Sequence, residues 1–583
     1  MSPYPAHGAE PSAVTTAYSV GHEEVLVNGG PGGPYNPYAN PQAMGSYNWR
    51  SDEYQDGGIL NERRRMALDE VDKAHFSWFH AKVVAIVGAG FFTDAYDTFV
   101  IDMAVNMLGL VYGKSNDPSS LPMLSSGHQL GLKVAGPVGT LFGMLIFGYL
   151  GDRLGRKRMY GMELTIIIVA VFVQSLLGEA RAVSIIYSLV AWRFIMGIGI
   201  GGDYPTSAVI ASEFAPVATR GRMITGVFAT QGLGQIVGAI VSIIVIYIHR
   251  KALGDVVPSD NSIRDIDQMW RILIGFGCVP GAFALLFRFT IPETPRFTMD
   301  IARNVNQASQ DIDTFLTTGG YYVDPDARVE HVIAPKASWE DWKQYISVRQ
   351  NLLTFVGVCY SWFALDIAFY GLSLNSSAIL SGIFPDTGSN TLWEHLHNAA
   401  ARNVIPIATG LIPGYIAAVF LIDRFGRRYL QFVGFGVLFV LLLVMGFGYT
   451  KFGSIALMTL YCLASFFLNC GPNTTTFVIS GESFPTRYRS TMVGVAAASG
   501  KLGAIISQLV VYSQSKNPSA QSTNGKGIEV ILVVFAFFML SGIASTWLIP
   551  ETSNKSLEDI SNEEQNSFIF GPAQPKEVSR QNS

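Results

Sequence analysis

Apolar residues along this chain gather into runs long enough to cross a bilayer, separated by short polar or Gly/Pro-rich breaks. A membrane-spanning helix needs about 20 mostly apolar residues. Runs of that kind are expected at 81–108, 131–151, 160–178, 184–208, 222–248 and 270–291. A polar stretch follows over 292–350. Six further runs cover 351–380, 399–421, 429–449, 453–480, 488–513 and 528–548. The pattern predicts an all-α integral membrane fold with twelve spans, six on each side of a hydrophilic linker.

The polar connections give the orientation. Arg153, Arg156, Lys157 and Arg158 cluster between segments 2 and 3. Arg424, Arg427 and Arg428 cluster between segments 8 and 9. Arg220 and Arg222 precede segment 5, and Arg487 and Arg489 precede segment 11. Lysines and arginines of the other side, Lys133 among them, are spread thinly over longer loops, and 381–398 has none. The positive-inside rule then puts both termini and the linker in the cytoplasm. The expected domains are a disordered cytoplasmic tail at 1–75, a first bundle at 76–291, the linker at 292–350, a second bundle at 351–553 and a polar cytoplasmic tail at 554–583. The first tail is rich in Gly, Pro, Tyr and Asn and ends in an amphipathic lead-in near Arg63, Arg64 and Arg65. No apolar signal-peptide core opens it, so insertion is expected to depend on the first span.

Three motifs occur twice in the same order. Gly151-Asp152-Arg153-Leu154-Gly155-Arg156-Lys157 recurs as Ile422-Asp423-Arg424-Phe425-Gly426-Arg427-Arg428. Glu213 with Arg220 and Arg222 recurs as Glu482 with Arg487 and Arg489. Pro292-Glu293-Thr294 recurs as Pro550-Glu551-Thr552. Each pair lies at the same end of an equivalent segment, so the halves are parallel repeats.

Composition narrows the class. Only 14% of the 583 residues are charged, against roughly 25% in soluble proteins. A net charge of −4 argues against a nucleic-acid partner. Cys278, Cys359, Cys462 and Cys470 sit in apolar runs without metal-ligand spacing and read as small core residues. No disulfide framework, metal cluster, phosphate-cradling loop or nucleophile–base pair stands out. An enzyme is therefore not expected, and no cofactor is called for.

Ionisable side chains inside spans are costly and usually functional. Segment 1 carries Asp94, Asp97 and Asp102; segment 4, Asp203; segment 7, Asp366; segment 11, Lys501. Gln231, Asn469 and Asn473 add polar groups. Such a set suits proton traffic, because a carboxyl that alternates between apolar and cationic surroundings takes up and releases a proton. The competing reading is a set of structural ion pairs, which applies most readily to Asp102. Trp362, Asp366 and Tyr370 are spaced to share one face of segment 7. A lipid-facing aromatic belt would not place a carboxyl between them, so the face is expected to line a cavity.

The Asp-Arg-x-Gly-Arg elements resemble those of the major facilitator superfamily over about residues 75–555. That resemblance implies two six-helix bundles that rock around a central site. Asp152, Arg153, Arg156, Glu213, Asp423, Arg424, Arg427 and Glu482 are then expected to form a conformational latch, with Asp152 near a helix N-terminus and the arginines reaching acidic groups. Gly201-Gly202-Asp203-Tyr204-Pro205, Phe91-Phe92-Thr93-Asp94-Ala95-Tyr96-Asp97, Gly471-Pro472-Asn473-Thr474-Thr475-Thr476-Phe477 and Phe484-Pro485-Thr486-Arg487-Tyr488-Arg489 are similar to motifs of the proton-coupled inorganic phosphate symporters of fungi and plants. The resemblance implies a phosphate site at Tyr204, Gln231, Trp362, Asp366, Tyr370 and Asn473. It also implies proton coupling through Asp94, Asp97, Asp203, Asp366 and Lys501, with Lys501 pairing an aspartate of segment 1. One departure is Ile479-Ser480-Gly481-Glu482, where many relatives have a proline two residues before the glutamate. Altered helix bending is expected there.

The expected partners are inorganic phosphate, protons and the lipid bilayer, in a multi-pass protein of the plasma membrane. The alternatives are a permease for glycerophosphodiesters or other organic anions, and a phosphate receptor with a signalling role. Relatives that carry phosphodiesters often have Glu where this chain has Asp203, which favours inorganic phosphate.

Overall fold

The computed structural model describes residues 14–20, 23–29, 68–115, 121–288, 290–291, 293–300, 337–385, 391–515 and 526–561. Arg63–Arg65, the middle of the linker and most of the C-terminal tail fall outside these. The chain divides into two units, Met1–Asp56 and Gly57–Ser583. In the first, Val14–Val20 and Glu23–Gly29 pair as an antiparallel hairpin, Val14 opposite Gly29. It lies in the stretch expected to be a disordered tail.

Among its described residues, the second unit holds twelve helices long and apolar enough to span a membrane. These are α1 (Trp78–Tyr112), α2 (Ser126–Leu154), α3 (Arg156–Leu176), α4 (Ile185–Phe214), α5 (Val217–Ile248) and α6 (Asp260–Arg288). After the linker come α7 (Arg349–Ser373), α8 (Leu392–Phe425), α9 (Arg427–Gly448), α10 (Ser454–Ser483), α11 (Arg489–Gln514) and α12 (Gly527–Thr546). Large apolar side chains such as Phe142, Ile146, Leu286, Phe420, Phe447 and Trp547 are exposed on the outside. A surface of that kind is stable only against lipid, so this is a multi-pass membrane protein.

Several spans run beyond their apolar runs. Asp260–Gly275 and the start of α8 are amphipathic, and both begin in capping boxes, at Ser259 and Thr391. Caps satisfy the first free N–H groups, so a helix extends past its apolar core. Segment 7 ends early. Its helix stops at Ser373, and a separate helix covers Ser376–Ile383.

Glycines set the tightest packing. α2 lies on α4 so closely that a Cβ on Gly139 or Gly143 would fall about 2 Å from the carbonyl oxygens of Phe194 or Ile198. Small residues let membrane helices approach at the backbone. α11 packs on both α7 and α2, and α5 packs on α8, so these helices line the seam between the bundles. Three irregularities lie along that seam. α1 is divided at Val100, α8 carries a π-turn at Ile407–Leu411 after Pro406, and α10 is interrupted at Gly471 before Pro472. Proline lacks the donor that would continue the ladder.

Candidate functional site

The break in α10 presents Asn473 to a buried polar chain at the middle of the seam. Asn473 donates from Nδ2 to the Tyr415 hydroxyl at 2.9 Å and to Asn469 Oδ1 at 2.8 Å. Tyr415 donates to Gln231 Oε1 at 2.7 Å, and Gln231 Nε2 donates to the Tyr204 hydroxyl at 3.2 Å. The chain thus crosses from α10 and α8 to α5 and α4. Tyr415 was not singled out in the sequence. A tyrosine at mid-span directly after Pro413-Gly414 is the signal that could have found it.

Beside this chain, Lys501 Nζ lies 2.8 Å from Asp366 Oδ2. The ammonium also sits over the rings of Tyr370 at 4.4 Å and Tyr204 at 4.8 Å, where the aromatic faces are negative. Gly500 is required here, because a Cβ would strike Trp362 and Asp366. Trp362, Asp366, Tyr370 and Lys501 are all buried. Phe477 stacks on Phe228 at 4.4 Å between centroids and meets Phe91, Tyr204 and Trp362 edge-on. The six residues implied as a phosphate site, with Lys501, therefore converge on an aromatic-walled cluster of donors. The expected partnership of Lys501 with segment 1 is not what the structure holds. α11 packs on α7, which puts the lysine against Asp366 instead.

The aspartates of α1 and α4 lie in the first bundle and differ in surroundings. Asp203 is paired. Arg288 of α6 reaches it at 2.6 Å and Glu163 of α3 at 2.9 Å. Ser207 also donates to Asp203 at 2.6 Å. Gly90 lets α1 pass close by, since a Cβ there would overlap the Arg288 guanidinium. Arg288 and Glu163 were missed in the sequence because each sits near the end of an apolar run, where charges are common. Asp94 and Asp97 are buried, and their carboxylate oxygens have no hydrogen-bond partner among the described residues.

At the face carrying the repeated basic motifs, Asp152 accepts from the Ser490 and Thr491 N–H groups at 3.1 and 2.7 Å, at the start of α11. Glu213 is met by Arg489 at 2.8 Å and Arg156 at 3.5 Å. In the second half, Asp423 accepts from the Arg222 N–H at 3.0 Å, and Arg427 pairs with Glu482 at 2.9 Å. Asp152, Glu213 and Asp423 therefore tie one bundle to the other, while the Arg427–Glu482 pair lies within the second bundle. Arg153 and Arg424 stand apart from these ion pairs. They are exposed and lie over the rings of Tyr149 and Phe425.

A twelve-helix repeat closed at its basic face, with polar side chains of both halves meeting at mid-membrane, defines a secondary transporter of the major facilitator type. Residues 81–563 match the Sugar (and other) transporter family, and the chain belongs to it. It is 44% identical to the repressible high-affinity phosphate permease of Neurospora crassa, covering 86% of this chain and 90% of that protein. It is 41% identical to inorganic phosphate transporter PHO84 of Saccharomyces cerevisiae, over 86% of this chain and 87% of that one. The probable inorganic phosphate transporter 1-8 of Oryza sativa subsp. japonica is 36% identical, over 86% of this chain and 95% of its own. Among solved structures, the proton:xylose symporter XylE superposes with a TM-score of 0.63 at 19% identity, over 83% of this chain and 99% of that one. That likeness shows the fold alone.

Proposed function

We propose that the protein imports inorganic phosphate together with protons by alternating access across the plasma membrane, with its termini and linker in the cytoplasm. The observation that carries this reading is the Lys501–Asp366 pair set among uncharged donors. Tyr204, Gln231, Trp362, Tyr370 and Asn473 can all donate to phosphate oxygens. An ionised Asp366 neutralises Lys501 and repels an anion. A proton on Asp366 frees the ammonium, and a phosphate monoanion then takes the carboxylate's place. Charge in the site is the same before and after, so burial is not paid twice. Loss of the proton toward the cytoplasm restores the pair and expels the anion.

Asp94 and Asp97, without hydrogen-bond partners among the described residues, are suited to pass a proton along α1, and Asp203 is suited to do so only when Arg288 shifts to Glu163. The basic-face clusters of Asp152, Glu213, Asp423 and Glu482 act as the latch, opening as the bundle at 76–291 rocks against the bundle at 351–553. The positive-inside pattern supports the orientation, and the named relatives support the substrate.

The test is uptake of labelled phosphate by purified protein in liposomes under an inward proton gradient. Accumulation that collapses with an uncoupler and resists excess glycerophosphocholine supports the reading. Displacement of phosphate by glycerophosphocholine at equal concentration would assign the site to phosphodiesters.

A further inference from the structure

A second lysine–aspartate pair lies nearer the face opposite the basic one. Lys133 Nζ is 3.0 Å from Asp102 Oδ1 and donates to Asn375 Oδ1 at 3.1 Å. The other Asp102 oxygen accepts from the Ser377 N–H at 2.8 Å and the Ser376 hydroxyl at 3.1 Å. Asn375 in turn donates to Gln508 of α11 at 3.0 Å. Two first-bundle charges thus hold the end of α7 and the helix Ser376–Ile383 of the second bundle. Lys133, counted with the loop charges although it falls at the start of the run 131–151, belongs inside α2 and is buried.

The pair stands between two spaces. Lys133, Asn375 and Gln508 line an open vestibule, with Lys114 and His128 on its wall. Asp102 and Ser376 line a second, smaller cavity of about 80 Å³, with Gln235 and Leu411. Gln235 is one helical turn beyond Gln231, and Leu411 one turn before Tyr415, so this cavity abuts the central donors. A solute that enters this cavity from the vestibule at the point where the two meet the ion pair passes Lys133 and Asp102. The two charges can also separate without either being stranded. Asp102 keeps Ser376 and Ser377, and the ammonium can donate to an oxyanion in place of its two present acceptors.

We propose that Lys133 is a transient binding site for a phosphate-like oxyanion at the outer mouth, and that the anion's exchange for Asp102 and Asn375 releases this closure. The inference rests on the central site carrying phosphate. Asp102→Asn and Lys133→Gln break the same ion pair, so a purely structural role moves both in one direction. An anion site moves them in opposite directions. Ala378, exposed on the vestibule wall, gives a reporter as Ala378→Cys. The readout is the phosphate concentration that protects residue 378 from a maleimide in the purified full chain, scored by peptide mass.

Asp102→Asn is expected to lower that concentration at least fivefold and Lys133→Gln to raise it at least fivefold. Lys133→Arg, which keeps the charge, stays within about twofold of the parent. If Lys133→Gln fails to fold, Asp102→Asn and Lys133→Arg decide the matter by the same criteria. Shifts in one direction, or none, overturn the proposal. Protection that persists in Asp366→Asn places the site apart from the central one. Phosphate transported without any protection at 378 leaves the central reading standing and ends this one; protection without transport does the reverse.

Discussion

Lys501 and Asp366 meet at 2.8 Å, each with a side chain 2% exposed, so α7 and α11 share one buried ion pair at the middle of the seam. Breaking such a pair from one side strands a charge and costs about 3–5 kcal/mol. Removing both charges avoids that cost. Lys501→Met alone is therefore expected to lower the melting temperature of the purified protein, and Lys501→Met with Asp366→Asn to recover most of it. An equal or larger loss in the double variant would show that the two side chains are not energetically coupled.

Asp366→Asn keeps shape and hydrogen-bonding capacity but cannot cycle a proton. Gradient-driven phosphate accumulation is expected to fall at least tenfold, while exchange of internal for external phosphate without a gradient persists better. Wild-type accumulation in this variant would remove Asp366 from the coupling step.

Tyr415 links Gln231 to Asn473 through one hydroxyl. Tyr415→Phe leaves a buried acceptor and a buried donor short of a partner, at about 1–3 kcal/mol. If the linked chain holds substrate, KM rises by about five- to a hundredfold with kcat little changed. An unchanged KM would mean that the chain serves helix packing only.

Arg288 holds two buried carboxylates, Glu163 and Asp203. Arg288→Met strands both, so a loss of at least about 3 kcal/mol is expected. Adding Glu163→Gln and Asp203→Asn should restore much of the stability. Thermal unfolding in detergent follows both steps, and a stable single variant would count against this triad as a structural unit.

Gly494 of α11 touches α2 across the bundle seam, where a Cβ would fall 2.3 Å from the Met144 carbonyl oxygen. A side chain there wedges the closed basic face apart without disturbing either bundle's own core. Gly494→Val is expected to speed maleimide labelling of Ser490→Cys several-fold and to slow uptake. Labelling no faster than in the parent would show that this contact does not hold the face shut.

Much of this architecture was legible in the chain itself. Apolar runs that must cross lipid leave few alternatives to helices, because lipid offers no partners for an open backbone. The repeated Asp-Arg-x-Gly-Arg elements marked equivalent ends of the two halves. Residues such as Trp362, Asp366 and Tyr370 stood out because a carboxyl between aromatics has no place in a lipid belt. Less visible were groups whose meaning depends on a partner far away in sequence. Lys133 looked like a loop charge until Asp102 and Asn375 were placed around it. Arg288 looked like the end of a span until Glu163 and Asp203 met it. The starts of α6 and α8 were hidden by amphipathic, capped turns that a hydropathy pattern underweights.

What the sequence determined by itself is the membrane-spanning class, the twofold repeat and the inventory of charges that a bilayer would otherwise exclude. Those follow from local free energies, since transfer cost is set residue by residue. What only the tertiary structure decided is which charges neutralise which. Lys501 could have served an aspartate of α1 as well as Asp366, for all are carboxylates buried within spans. The packing of α11 against α7 made that choice. Coulomb energy in a buried site falls with distance and rises with desolvation, and neither quantity exists until the helices are packed.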